Sequence, residues 1–192
     1  MQNDIIIGEF KLKDRKYIDK IYEESFSQEE RFPKFLLYFN IFRKKAKLYV
    51  IKNDSKICGF TYLIFYKNMV FILYLAVTTS ERDKGYGSAL LKWCLNKYKN
   101  REFYLNIDEI NPKFDDYQIR KQRGQFYLRH SFYLTDYQSV NNNSKGHILS
   151  LKKDLNIETY KELDKRISYW FLTSRDEIEK EEHTLYKKEK KR

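Results

Sequence analysis

Apolar and polar positions alternate at strand spacing in some stretches of this 192-residue chain and recur at helical spacing in others. Ile5 to Leu12 is β-branched and aromatic and predicts a first strand. From Lys13 to Arg43 the pattern turns helical. Tyr17, Ile18, Ile21 and Tyr22 form one apolar set, and Phe35, Leu36, Phe39 and Phe42 form a second after Pro33. Ser25 to Pro33 reads as the loop between two helices, because proline disfavours helix in the residue before it. Three strands follow, Ala46–Lys52, Lys56–Tyr66 and Met69–Val77, joined at Asn53-Asp54 and Lys67-Asn68 by hairpin chemistry. The third is a continuous apolar run, so it should be central and covered on both faces.

Beyond Val77, Thr78-Thr79-Ser80-Glu81 leads to an amphipathic helix over Gly87–Lys99, carried by Leu90, Leu91, Cys94, Leu95 and Tyr98. Phe103–Asp108 predicts a strand and Asp116–His130 a helix. Phe132–Val140 and His147–Lys152 should pair across the turn Asn141 to Gly146. Ile157–Leu172 is amphipathic, and a charged tail begins at Ser174. The order of elements is that of an α+β domain.

Composition narrows the class. Hydrophobic residues make up 42% and aromatics 17%, enough to bury a core, while 6 Gly and 2 Pro argue against a loop-dominated architecture. The net charge of +11 favours anionic partners, although part of it lies in the terminal run Lys187 to Arg192. Cys58 and Cys94 have no CxxC spacing, and His130, His147 and His183 are scattered, so neither a disulfide framework nor a metal site is expected. The start Met1 to Asp4 lacks a signal-peptide pattern, and the longest apolar run, Met69 to Val77, is too short to span a bilayer. A cytoplasmic protein with no membrane partner is expected.

Chemistry concentrates where the strand ending at Val77 meets the next helix, through Arg82-Asp83-Lys84-Gly85-Tyr86-Gly87-Ser88. The first amides of a helix have no intrahelical acceptor, and the helix dipole adds positive charge, so a glycine-containing turn here suits a phosphate group. Gly85 and Gly87 can take positive φ and let the backbone close on a ligand, with Arg82 and Lys84 at the rim. A Walker A loop is excluded because Gly87 is followed by Ser88-Ala89 rather than Lys-Ser/Thr. A dinucleotide fingerprint is excluded because Leu90 stands where a small residue is required.

Arg82-Asp83-Lys84-Gly85-Tyr86-Gly87 resembles the acetyl-CoA motif Arg/Gln-x-x-Gly-x-Gly/Ala of the GNAT superfamily of N-acetyltransferases, flanked by Leu75-Ala76-Val77 and Ala89-Leu90-Leu91. Phe126-Tyr127-Leu128-Arg129-His130-Ser131-Phe132 resembles the family's later Phe-Tyr-x-x-x-Gly-Phe, with Ser131 where Gly is common. The resemblance implies a GNAT-like acyl-CoA N-acyltransferase fold over residues 1–152, with a mixed, mostly antiparallel central sheet flanked by helices. An extra C-terminal helix and charged tail would occupy 153–192. It also implies acetyl-CoA as co-substrate, with direct attack on the thioester by a small-molecule or peptide amine.

On the same resemblance, the CoA pyrophosphate would lie on Arg82 to Ser88, and the backbone of Leu75, Ala76 and Val77 would pair with the pantetheine arm, aided by a strand splay or bulge. Tyr127 would be the general acid toward the departing thiolate. Arg120 stands where many relatives carry an Asn that touches the CoA arm, and would reach a CoA phosphate or face water. In some protein-acetylating members a Glu precedes the position of Val77 by six residues; here that position is Phe71. Asp108 and Glu109, or Glu29 and Glu30, are the remaining candidate bases, beside their reading as solvated carboxylates. Phe26, Phe32, Tyr62, Tyr74 and Tyr104 could line an acceptor pocket or pack in the core. A non-catalytic CoA-binding or protein-interaction module is the competing reading. Nucleic acid is not expected as a partner, since no recognition signature is present. The state expected is monomer or homodimer.

Overall fold

A computed structural model describes residues 5–141, 144–174 and 176–180. The chain divides into two units, Met1–Phe103 and Tyr104–Arg192. The predicted residues Asn142, Asn143 and His183, Met1 to Asp4 and the basic run Lys187 to Arg192 lie outside the described residues.

The first unit contains β1 (Ile5–Glu9), α1 (Arg15–Ser25), α2 (Lys34–Phe42), β2 (Ala46–Asn53), β3 (Lys56–Tyr66), β4 (Met69–Val77) and α3 (Tyr86–Lys97). Its strands run in the order β1-β2-β3-β4, each pair antiparallel. Strand alternation sorts the side chains. Leu48, Phe60, Tyr62 and Tyr74 share the face on which α1 and α2 lie, where Tyr22 meets the Tyr74 ring edge-on at 5.0 Å and Tyr62 donates to Leu37 O at 2.9 Å. Tyr49 points to the opposite face and meets Trp93 of α3 at 4.8 Å. The apolar run of β4 is thus covered from both sides.

The first strand is shorter than the sequence predicts. After Glu9 the chain turns through a short 3-10 segment, Leu12–Asp14, because Asp14 is buried. Its carboxylate accepts from Lys11 N at 3.3 Å and Lys52 Nζ at 2.8 Å, drawing the chain inward.

The second unit holds most of β5 (Glu102–Asp108), then α4 (Tyr117–Arg129), β6 (Tyr133–Asn141), β7 (Ser144–Ser150), α5 (Ile157–Phe171) and β8 (Glu177–Lys180). Strand order is β5-β7-β6-β8, again with antiparallel pairs. Helix α5 buries Tyr160, Leu163, Ile167 and Phe171 at helical spacing. Tyr160 donates to Asn106 Oδ1 of β5 at 2.6 Å. Pairing of β6 with β7 extends to Asn141↔Ser144, further than predicted. Strand β8 falls in the segment read as charged tail. Its Glu-Ile-Glu-Lys sequence pairs with β6 from Val140↔Glu177 to Tyr137↔Lys180, and a charged edge strand of this kind reads as solvated chain until its partner is known.

Candidate active site

The register of β3 and β4 slips between Tyr62↔Tyr74 and Leu63↔Ile72, leaving Leu73 as an extra residue in β4. This is a β-bulge, which bends the strand and re-aims the residues after it. Thr61 Oγ1, fully buried, donates to Tyr74 O at 2.9 Å beside the bulge. Leu75, Ala76 and Val77 come directly after it. Gly59 pairs with Val77, and a Cβ there would stand 2.4 Å from Ala76 O, so the two backbones approach as only glycine permits. A lone glycine in an apolar strand pattern was the available signal for this contact.

At the end of β4, Thr78 N donates to Cys58 O at 2.9 Å, and the chain passes through Thr79–Glu81. Asp83 has φ 61° and Gly85 φ 85°, a left-handed conformation that ends the turn and opens α3. No side chain caps the helix, and the first amide to bond back is Ala89 N, to Gly85 O at 2.9 Å. The amides of Tyr86, Gly87 and Ser88 therefore precede the helical ladder and point out of its start. A Cβ on Gly85 would meet nothing within 4 Å, so the position demands glycine for its φ and not for room. Gly87 is the second residue of α3 and does not have positive φ. The expected backbone freedom is used at Gly85.

Side chains around the turn are arranged less simply than predicted. Glu81 is buried and bridges Lys56 Nζ at 2.6 Å and Lys84 Nζ at 3.1 Å. The hydrogen bond from Lys56, then that from Lys84, holds its carboxyl below the usual range. Lys84 is thus anchored to an acid at the base of the turn. Arg82 folds back, with Nε 3.4 Å from Val77 O. The Tyr86 ring is buried, leaving its backbone to face outward, and Ser88 is half-buried. Phe71 is buried and pairs with Ile64.

Asp108, Glu109, Arg120 and Tyr127 lie in the second unit. Gly124 lets α4 approach β5, since a Cβ there would stand 2.8 Å from Ile110 Cδ1 and 3.3 Å from Ile107 Cδ1. Arg123 Nη1 reaches Asp108 at 2.8 Å. Arg120 bonds Asp116 at 2.6 Å and Glu109 O at 3.3 Å, with its guanidinium 4.2 Å from the Phe114 ring centre. Burial pushes Glu109 upward, but Asn111 and Lys113 outweigh it, and its carboxyl sits below the ordinary value.

Tyr127 is 7% exposed, wedged edge-on between Phe126 and Phe132 at 5.1 and 5.6 Å. Among the described residues no side chain or backbone group bonds its hydroxyl. Burial pushes that hydroxyl up to about 12, against a small opposing pull from Arg123. Ser131 adopts φ 66° and closes α4 with Phe132 N on Tyr127 O and Ser131 N on Leu128 O, both at 3.2 Å. This left-handed helix ending is the one normally built on glycine.

Glu30 turns back on the first inter-helix loop, its carboxylate accepting from Ser27 N at 2.7 Å. Tyr62 and Tyr104 are core residues, whereas Phe26 and Phe32 are half-buried around Tyr74. The resemblance implied a splay or bulge in this strand but not its position at Leu73, and the sequence reading missed the Glu81 bridge and the anchoring role of Tyr74. None of these carries a local signal, because each depends on a partner distant in the chain.

Residues 15–113, just over half of the chain, match the model of the acetyltransferase (GNAT) family. The chain belongs to the GNAT family of acetyltransferases. No curated protein matches it. Among solved structures it is similar to a GNAT-family protein of Bacteroides thetaiotaomicron, at 20% identity and TM-score 0.67 over 85% of this chain and 96% of that one. It is also similar to the PaiA N-acetyltransferase of Thermoplasma acidophilum in complex with coenzyme A, at 20% identity and TM-score 0.58 over 78% and 99%. A third is the ribosomal-protein-S18-alanine N-acetyltransferase of Escherichia coli, at 13% and 0.56 over 79% and 96%. These likenesses establish the GNAT fold, the α+β class expected from the sequence.

Proposed function

We propose that the chain transfers an acetyl group from acetyl-CoA to a primary amine by direct attack. The observation that carries this reading is Gly85, at φ 85°, opening α3 with outward amides at the end of a bulged strand. Those amides suit the CoA pyrophosphate, and the backbone of Leu75 to Val77 suits the pantetheine amides as a strand-like partner. Acetyl-CoA, when bound, supplies the activated thioester and the thiolate leaving group. Arg82 and Lys84 add positive charge at the rim, with Lys84 held in place by Glu81. Arg120, tied to Asp116, Glu109 and Phe114, is better placed to order the start of α4 than to swing toward a phosphate.

Tyr127 is the proposed general acid. A hydroxyl with no partner among the described residues and a pKa pushed up to about 12 stays protonated at neutral pH and is available to donate. Glu109, held below the usual carboxylate value, is a weak base. Asp108, whose side chain is 32% exposed beside Arg123, is the proposed acceptor for the proton of the substrate ammonium. The acceptor amine is a small molecule or a peptide terminus, in keeping with the protein-alanine substrate named for the Escherichia coli relative.

The test is acetyl-CoA-dependent thiol release across a panel of small amines, polyamines and peptide N-termini. Release with at least one class supports the reading. Tight CoA binding with no release from any class would mark a CoA-binding module instead.

A further inference from the structure

Helix α2 presents two unlike sides. Leu36, Leu37 and Asn40 are buried, whereas Phe35, Phe39 and Phe42 are 67%, 50% and 83% exposed. These three follow the i, i+4, i+7 spacing of one helical face, so their rings stand in a row. With each ring side chain offering roughly 200 Å², the exposed area is on the order of 400 Å². A patch of that size is comparable to the largest on a typical monomer, and such patches are often functional.

Cations frame the row. Arg31 and Lys34 lie at the start of α2, and Arg43, Lys44 and Lys45 follow its end, exposed. Between Glu30 and Asp54 the chain carries seven Lys and Arg and no acid, and of these Lys34, Lys47 and Lys52 are ion-paired to acids from outside that stretch. The Arg43 guanidinium lies 5.4 Å from the Phe39 ring centre, so charge and ring share one surface. Acids approach this region from α1, where Lys34 pairs with Glu23 at 2.6 Å and Asp19 at 4.0 Å.

We propose that this face of α2 docks on an anionic lipid surface, with the three rings at the acyl boundary and the flanking cations at the headgroup phosphates. A row of rings that ends in the exposed Arg43, Lys44 and Lys45 fits a partner that is apolar beneath an anionic layer, and a bilayer leaflet has that order. A parallel pair of such helices would set Arg43, Lys44 and Lys45 of the two copies together, and ring-dependent pairing without lipid is an outcome of the test below. The helix is already held by Leu36 and Leu37, so docking requires no folding of the segment. The contact is peripheral, since no helix among the described residues is long and apolar enough to cross a membrane. It is independent of the acetyl-transfer reading.

The experiment is flotation of the full chain with phosphatidylcholine vesicles, with and without one-third phosphatidylglycerol. Binding is expected with the anionic vesicles only, and weakened by salt. Joint replacement Phe35→Ser, Phe39→Ser and Phe42→Ser should lower partitioning about tenfold or more. Replacing Arg43, Lys44 and Lys45 by Gln should lower it on the order of 100-fold, at about 1 kcal/mol per cation. Thermal melting controls for folding, and slowed hydrogen exchange over residues 34–42 of the unaltered protein on anionic vesicles is the second readout. Absence of anionic binding, binding unchanged without the rings, or ring-dependent dimerisation without lipid would each overturn the proposal. So would an RNA or an acidic peptide binding through the same rings while vesicles do not.

Discussion

Tyr22 donates its hydroxyl to that of Tyr74 at 3.1 Å, and the Tyr74 hydroxyl in turn donates to Glu30 O at 2.7 Å. Phe32 N donates back to Tyr74 at 3.2 Å, and Tyr22 also reaches Phe32 O at 3.0 Å. One residue of β4, immediately after the bulge, therefore holds the backbone of the loop between α1 and α2. The substitution Tyr74→Phe keeps the ring packing and removes the three bonds made by its own hydroxyl, leaving that from Tyr22 to Phe32 O. It should destabilise the fold by about 1–3 kcal/mol, the range for leaving buried partners unpaired. Hydrogen exchange over residues 26–32 should accelerate more than in β2 or β3. Uniform acceleration would mean that the hydroxyl supports the whole unit and not the loop.

Gly85 and Gly87 separate two effects that a single motif would merge. Gly85→Ala places a side chain at φ 85° and should cost about 1–2 kcal/mol through backbone strain, with CoA affinity falling alongside. Gly87→Ala sits inside α3 and should leave stability equal or up to about 1 kcal/mol higher, because alanine favours helix. It should still weaken CoA binding if the ligand closes on that backbone. Calorimetric titration with CoA, paired with thermal melts, reads both. Full CoA affinity in both variants would place the phosphate site elsewhere.

Removal of the Tyr127 hydroxyl by Phe should lower turnover by roughly 10²-fold while leaving CoA affinity within about twofold. A hydroxyl raised to about 12 acts as a protonated donor, so any alkaline fall in rate that it controls should lie well above pH 10. A limb below pH 9 that persists in Tyr127→Phe would assign it to another group.

Several tyrosines share this upward shift. Burial raises Tyr22 and Tyr127 to about 12 and pushes Tyr49, Tyr62 and Tyr74 higher still. For a group whose folded pKa lies above its unfolded value, the stabilisation is complete below the unfolded pKa near 10 and is lost as pH rises through the folded one. Stability should be flat up to about pH 10 and fall steeply between about 10 and 12. Tyrosinate absorbance should rise together with loss of ellipticity. Early, gradual ionisation of all 17 tyrosines without unfolding would contradict the burial described.

Ser131 supplies the simplest stability test. Its φ of 66° is strained for a residue with a Cβ, and the helix ending it forms is complete. Ser131→Gly should stabilise by about 1 kcal/mol, and Ser131→Val should destabilise by more. A melt in which Gly lowers Tm would show that the serine contributes a bond that outweighs its strain.

The sequence by itself determined what depends on neighbours along the chain. Helical spacing around Ile18 and Leu90, the apolar run of β4, the turn at Lys67-Asn68 and the glycine that opens α3 are all local requirements, and each stands where its pattern predicts, while the first hairpin turn falls one residue later than predicted, at Asp54-Ser55. The tertiary structure alone decided how the site is set. It placed an extra residue at Leu73, bound Lys84 to a buried Glu81, and turned Asp14 inward to shorten β1. It also gave the charged Glu177–Lys180 a strand partner and left Phe35, Phe39 and Phe42 uncovered although their spacing reads as core. The reason is the range of the forces involved. Propensity and periodicity act over a few residues, whereas register, ion pairing and burial are settled only when segments tens of residues apart compete for the same surface.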